Sequence, residues 1–453
     1  MQNKTITSFL DAEYASYGMH TIENRAIPSV IDGFKPTQRK VIFIANKVWK
    51  STKDKPLKIF QFGGRVAADA MYHSGDASLN GAIIGMAQPF KNSIQLLDNL
   101  GQFGTLRSPE AGAPRYISTK LNDNFRLLYK DFDLTTPKFE EGMQIEPYYF
   151  LPIIPTVLLN GSSGIAVGFS TNILNRHPVE LIDACMKCVE NKSFNAPSPY
   201  WNEFKGKVVR SVENPKSFSI HGILNVENTT TVKITELPVS MTYQKFDVLL
   251  SSLQDKGIIQ QYDDNCADGK IEYVIKFQRV VLADLIKKNK VESTFKLIEN
   301  ETENLTCLDE NGKLIIFDSV EDIIKYFVNF RITFYDKRKS LMIKENEYNH
   351  NVLTNKANFI KKIIDKKLVV NNVKKEDIVN SLLTFNFDKI NDSFDYLLQM
   401  PIYSLTKEKY EDLLKQIESN LIELSKLKEL IPLNMYKDDL ISLKKSLKHT
   451  KDI

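Results

Sequence analysis

Between Tyr410 and Ile431, the residues Tyr410, Leu414, Ile417, Leu421, Leu424 and Leu427 recur at steps of four and three. An apolar stripe of that period is a coiled-coil seam, and it needs a second helix to cover it. The Lys-rich run over about 320–367 has a helical pattern and is the candidate antiparallel partner. Pairing them leaves about 368–404 as a compact tip between two long helices at about 320–367 and 405–431. Leu382, Leu383, Phe385 and Phe387 in the tip are candidates for a surface that meets a second copy, or for the tip's own core. A chain of 453 residues exceeds what one hydrophobic core serves. The arm, within 321–453, is therefore one part of a multidomain α+β protein.

The pattern changes twice upstream. Residues 146–320 hold short β-branched runs at 207–210, 231–235 and 271–275 between polar turns, which reads as a mixed α/β domain. Residues 1–145 alternate helical patterns with Gly-containing turns. Helices are expected over 36–45, with Pro36 in the first turn, over 62–72, and over 77–88. The four-residue turn His73-Ser74-Gly75-Asp76 between the last two gives a helix-turn-helix outline. Charge follows the same division. Residues 1–130 hold 17 Lys+Arg and 10 Asp+Glu, a net +7, against −3 for the rest. A basic segment on a near-neutral body is the footprint of a polyanion-binding module. Four cysteines make no disulfide framework. Cys185 and Cys188 lie in a helix-like run without further ligands at zinc spacing, so they read as core. The start of the chain shows no secretory pattern. The most apolar stretch, 151–174, is broken by Pro152, Pro155, Asn160, Gly161 and Asn172, so no membrane span is expected. A reducing, cytoplasmic setting is the expectation.

One short stretch carries chemistry. In GAPRYISTKL, Tyr116 follows Arg115 directly after a small-residue turn. A phenol ordinarily titrates near pH 10, so it is a poor nucleophile at neutral pH unless its charged form is favoured. A neighbouring guanidinium favours the anion and stabilises a crowded phosphorane. Taken alone the pair is weak, and a tyrosine bonded locally to backbone is the ordinary alternative.

Several further segments occur in order with it: Asn24-Arg25-Ala26-Ile27-Pro28, Asp32-Gly33-Phe34-Lys35-Pro36 with Gln38-Arg39-Lys40, Tyr72-His73-Ser74-Gly75-Asp76, Met86-Ala87-Gln88-Pro89-Phe90, Gly101-Gln102-Phe103-Gly104, Leu159-Asn160-Gly161-Ser162-Ser163-Gly164-Ile165, Ile234-Thr235-Glu236-Leu237-Pro238 and Met400-Pro401-Ile402-Tyr403. Over nearly its whole length the chain resembles the DNA-breaking subunit of type IIA DNA topoisomerases. The resemblance implies a winged-helix DNA-cleavage domain over 1–145, a tower domain with a DNA-bending loop over 146–320, and a coiled-coil arm with a small helical exit-gate domain over 321–453. It implies that Tyr116 attacks the DNA backbone and stays joined to the 5′ phosphate, so that religation needs no ATP. Arg115 and Arg25 match positions at the scissile phosphate. Lys35 and Arg39 match basic positions that hold phosphate, and Ser78 sits where a helix start meets phosphate. Ile165 matches an isoleucine that wedges between base pairs and bends the duplex. The chain departs from the family in the turn. A second histidine is usual where Ser74 stands, so base assistance falls to His73, to Ser74 through a water, or to a metal-bound hydroxide. Ala77 and Gly81 replace the serine and acidic residue that anchor quinolones, so such anchoring should be weak.

Two other classes compete. A tyrosine recombinase or type IB enzyme would form a 3′ linkage, and its order of arginines around a late tyrosine is not evident. A non-catalytic DNA-binding scaffold would not need Arg25, Arg115 and Tyr116 together. The chain shows no Glu-Gly-Asp or Asp-x-Asp-x-Asp run of a metal-binding toprim domain, and no ATPase glycine box. The expected partners are therefore double-stranded DNA, a second copy of the chain, and a large subunit that holds Mg²⁺ and binds and hydrolyses ATP. No metal site is expected in this chain. Without a gyrase-type wrapping domain, relaxation and decatenation are the expected outcomes.

Overall fold

The computed structural model describes residues 5–51, 53–267, 269–371, 373–390 and 392–450. They form two compact units. One runs to Arg331 and takes in the residues from Lys437 onward; the other is Ile332–Tyr436.

In the first unit, three helices form near the N-terminal end: Pro36–Val48, Ile59–Asp69 and Asp76–Ala87. Pro36 occupies the first turn of the first helix, where its missing N–H costs nothing. Asp76 opens the third, where a carboxylate complements the helix dipole. Val41, Ile42, Phe62, Val66, Leu79 and Ile83 face inward and are buried. The second and third helices cross closely because residue 63 has no side chain: a Cβ there would lie 2.6 Å from Asn80 Oδ1. Beside them Phe34, Phe125, Tyr129 and Phe150 form an aromatic cluster, with Phe34 stacked on Tyr129 at 5.4 Å.

Two antiparallel sheets follow. One has three strands in the order Ile298–Thr302, Ser217–His221, Lys207–Arg210; the other has four in the order Ile223–Val226, Thr231–Glu236, Tyr273–Lys276, Gln261–Asp264. Val232, Ile234, Tyr273 and Ile275 alternate onto one face and pack with Phe246, Leu250, Leu282 and Phe295. The strands expected at 207–210, 231–235 and 271–275 form within two residues of those bounds.

Buried ion pairs tie this unit together: Arg39–Asp32, Arg107–Glu236, Arg176–Glu303 and Arg331–Asp131. Three of the four join segments more than a hundred residues apart. Such pairs add little net stability, but removing one member leaves a bare charge inside.

In the second unit, residues of the helix Val320–Ile364 run against the helix Lys407–Glu429. The direction is antiparallel: Lys339 Nζ reaches Lys428 O at 2.8 Å, Asn420 Nδ2 donates to Asn346 Oδ1 at 3.1 Å, and Ile360 packs on Leu413. The seam is offset from the expected one. Tyr410, Leu413, Ile417, Leu424 and Leu427 face the partner helix or are buried, whereas Leu414 and Leu421 are exposed. Asn420 occupies the position that completes the three-four spacing. In the tip, the four residues singled out divide between the two readings. Leu382 and Phe387 are buried with Phe359, Leu368, Ile378, Phe394 and Leu397, and Phe385 packs against them. Of the four proposed contact residues, Leu383 alone is exposed.

Candidate active site

Tyr116 ends a tight turn whose backbone is held from both sides. Leu57 and Lys58 pair antiparallel with Ser118 and Thr119. Ile59 N donates to Ile117 O at 3.1 Å, Phe60 N to Pro114 O at 3.2 Å, and Lys58 Nζ to Tyr116 O at 2.7 Å. On the other side Leu100 and Ser118 exchange two backbone hydrogen bonds, and Gly112 N donates to Gln102 O at 2.8 Å. Ile117 is buried against two glycines, and a Cβ on either Gly101 or Gly112 would come within 3.2 Å of it. Gly101 also has φ +114°, which other residues avoid. Tyr116 is 69% exposed. The Arg115 guanidinium carbon lies 5.2 Å from the Tyr116 ring centroid, within cation–π range. A fixed backbone therefore presents an outward phenol beside a cation.

Arg25 lies in a short π-helical turn, Ile22–Ala26. Ile22 and Ala26 are buried and Arg25 is exposed between them. Against this turn lies a hairpin, Ser162–Ile165 paired with Ser170–Ile173. The sequence pattern predicts a loop here; the Ser-Ser-Gly stretch forms a strand because residues 170–173 supply its hydrogen bonds. Gly161, with φ +64°, starts the hairpin, and Gly168, with φ +77°, turns it. Ile165 is 88% exposed, the most exposed isoleucine among the described residues. Lys35 Nζ donates to Ser163 O at 2.7 Å, and burial lowers the pKa of its ammonium. Lys35 also lines an open cavity of about 570 Å³ with Gln38, Lys91, Asn160, Trp201 and Lys245.

Arg39, expected on a phosphate, is placed inside instead. Its Nε and Nη2 donate to Asp32 Oδ2 and Oδ1 at 2.6 and 2.9 Å, and Nη2 also reaches Phe34 O at 3.1 Å. Burial works against its charge, but Asp32 outweighs burial and its pKa is raised. Asp32 in turn accepts from Phe34 N and Phe150 N. Arg39 thus holds the Asp32–Lys35 turn in shape.

His73 and Ser74 are exposed and line a cavity of about 820 Å³ together with Lys40, Glu140 and Tyr148. His73 Nε2 lies 3.4 Å from Glu140 Oε1. Ser78 is exposed in the first turn of Asp76–Ala87, where backbone N–H groups lack helical partners. Among the described residues, no hydrogen bond or ion pair joins the Tyr116 side chain to Arg25 or His73.

Two side chains not expected from the sequence to have a role support the site. Gln88 is buried and donates to Phe103 O and Pro109 O at 2.8 and 3.1 Å, pinning the loop ahead of Tyr116. Arg107 in that loop pairs with Glu236 at 2.6 Å and donates to Met241 O at 2.9 Å. Burial lowers the Arg107 pKa, with Glu236 opposing. An arginine between Leu106 and Ser108 carries no local signal of a partner 129 residues away. Cys185 is buried in the helix Pro178–Val189 and burial raises its thiol pKa, as suits a packing residue. Among the described residues, no three His, Cys, Asp or Glu side chains gather in a metal-sized group. No described helix is long and apolar enough to cross a membrane.

Comparison with known proteins identifies the family. Residues 25–442 match the DNA gyrase/topoisomerase IV family model for the A-type subunit. The chain is 35% identical to the DNA topoisomerase medium subunit of Enterobacteria phage T4, over 92% of this chain and 94% of that one. It is 31% identical to DNA topoisomerase 2 of Plasmodium falciparum over 98% of this chain, yet spans only 34% of that longer protein. A solved structure, the DNA-binding, cleavage and re-ligation domain of Plasmodium falciparum topoisomerase II, superposes with a TM-score of 0.87 at 31% identity, covering 98% of this chain and 65% of that one. The chain therefore belongs to the gyrase and topoisomerase IV family of DNA-cleaving polypeptides, within the type II DNA topoisomerases.

Proposed function

We propose that this chain is the DNA-cleaving and religating subunit of an ATP-dependent type IIA topoisomerase, with Tyr116 as nucleophile. The observation that carries the assignment is the exposed phenol on a clamped turn, with a guanidinium over its ring. In the cleavage step the Tyr116 oxygen bonds to phosphorus, the bond from phosphorus to the 3′ oxygen breaks, and the phenolic proton leaves to a base. The 3′ oxygen departs as a hydroxyl and the protein stays on the 5′ phosphate. Religation runs the same exchange backward, so bond energy is conserved. Arg115 and Arg25 stabilise the charge that builds on the phosphorane. His73 is the candidate base, its ring poised by Glu140; Ser74 acting through a water is the second candidate. Ser78 holds phosphate, Lys35 braces the hairpin through Ser163 O, and Ile165 enters the base stack.

In this reading the three helices around 36–87 belong to a winged-helix cleavage domain over 1–145, the two sheets to a tower over 146–320, and the helix pair to a coiled-coil arm within 321–453. One break per chain cannot open a duplex, so a two-fold homodimer is required, with the tip of the arm as exit gate. We assign Mg²⁺ and ATP to a partner polypeptide, because the chain carries neither a toprim-type acidic run nor an ATPase glycine box. When bound there, the ion stabilises phosphate charge. The working place is the cytoplasm in which the DNA lies.

The test uses the complex with the partner polypeptide. Denaturant-trapped wild type should carry protein on 5′ DNA ends, and Tyr116→Phe should trap none while binding DNA with unchanged affinity. Protein on 3′ ends would instead support the type IB chemistry.

A further inference from the structure

The hairpin that carries Ile165 rests directly on the turn that carries Arg25, and the contact is nearly bare backbone. A Cβ on Gly164 would lie 2.3 Å from Ala26 O, 3.2 Å from its carbonyl carbon and 3.0 Å from Lys35 Nζ. The φ of Gly164 is not positive, so the glycine is required by close approach and not by backbone conformation. Flanking residues reinforce the contact. Ser163 O accepts from Lys35 Nζ at 2.7 Å. Ala166 packs with Ile22, Ala26, Ile27 and Leu308. Val167 meets Gly18 in the preceding helix, 3.5 Å from where a Cβ would stand. The hairpin therefore lies along the whole segment that presents Arg25. That segment is π-helical, closed by a 3.4 Å bond from Ile27 N to Ile22 O. Single π turns recur at functional sites, and the bond that closes this one is long.

We infer that Gly164, assisted by Lys35, couples DNA bending to cleavage. When Ile165 enters the stack, the hairpin shifts against Ala26 O, and this sets where Arg25 meets the scissile phosphate. Gly164 and Lys35 are positioning residues, and straight DNA would leave Arg25 out of register. The inference rests on the proposed wedge role of Ile165 and phosphate role of Arg25.

The experiment measures bending and cleavage separately in the complex with the Mg²⁺-holding partner, at saturating DNA. Bending is read by energy transfer between dyes at the ends of a duplex, and cleavage by denaturant trapping. A displacement of ~1 Å near a reacting centre costs ~100-fold, so Gly164→Ala should lower cleavage at least tenfold while bending matches wild type. Lys35→Met should show the same split with a smaller loss. Ile165→Ala should lose both. A duplex already bent by an internal bulge should restore cleavage to Ile165→Ala and not to Gly164→Ala or Lys35→Met. If circular dichroism shows Gly164→Ala misfolded, Lys35→Met alone decides. Proportional loss of bending and cleavage in the variant that decides, or its rescue by bent DNA, overturns the coupling. If Ile165→Ala bends DNA as wild type does, the wedge assignment itself has failed and takes the coupling with it.

Discussion

The Asp32–Arg39 pair decides whether a conspicuous basic residue serves DNA or the fold. The Asp32 side chain is 0% exposed and that of Arg39 10%. The Asp32 carboxylate accepts four hydrogen bonds, two from Arg39 and one each from Phe34 N and Phe150 N. Removing one partner of a buried pair costs about 3–5 kcal/mol, because a bare charge is left behind. Asp32→Ala also strands two amides, each worth about 1–3 kcal/mol if water cannot reach it, so its loss should lie at the upper end. Arg39→Met keeps those amides paired and fills the volume, so it should cost about 3 kcal/mol. Urea unfolding followed by tryptophan fluorescence measures both. The two tryptophans, Trp49 and Trp201, lie in the first unit, so the signal avoids mixing two unfolding transitions. Salt dependence gives the second reading. Loss of one phosphate contact lowers the slope of log K against log salt by about one, and Arg39→Met should leave that slope alone. A variant of unchanged stability whose salt slope falls by about one would refute the structural role and return Arg39 to the DNA.

Further outcomes are expected in the second unit. Leu382→Asp should unfold the tip, since Leu382 is fully buried, whereas Leu383→Asp should leave its circular dichroism intact and weaken self-association in sedimentation. Equal dimer strength in Leu383→Asp and wild type would remove this residue from the proposed gate. Asn420→Leu should stabilise the helix pair by about 1 kcal/mol in thermal melts, because Asn420 Oδ1 is buried without a partner and a polar layer costs stability in return for register. A lower melting temperature would mean that the bond to Asn346 outweighs that cost.

What the sequence made legible was local. The helices at 36–48 and 76–87 and the strands at 207–210 and 231–236 are written in short patterns of proline, caps and alternation, and they form near their expected bounds. The order of motifs marked Tyr116, Arg115 and Ile165, whose exposure matches groups that must leave the protein to meet a ligand. Where a side chain's partner was distant, the pattern misled. Arg39 looked like a surface cation because Asp32 sits seven residues away in a Gly-containing turn, with Phe150 completing the pocket from far downstream. Arg107 was silent for the same reason, and Gln88, though within a motif, gave no sign of its partners Phe103 and Pro109. The seam slipped because leucine was preferred to asparagine: counting Leu414 and Leu421 hides the true positions, Leu413 and Asn420, one residue earlier.

The net +7 of residues 1–130 overstates the charge available to DNA, since Arg107 is neutralised inside by Glu236 from beyond that segment, whereas Arg39 and Asp32 already cancel within the count. What remains outside includes Arg115 beside the phenol and Arg25 on a π-helical turn. The contrast between those two supports is physically required. A nucleophile gains most from fixed geometry, up to about 7–11 kcal/mol of barrier, and the Tyr116 turn is clamped by paired strands, Lys58 and two close glycines. A group that reports DNA shape must instead move, and Arg25 sits where one hairpin can push it. In the coupling inferred above, a rigid nucleophile and a movable cation together let cleavage wait for a bent duplex.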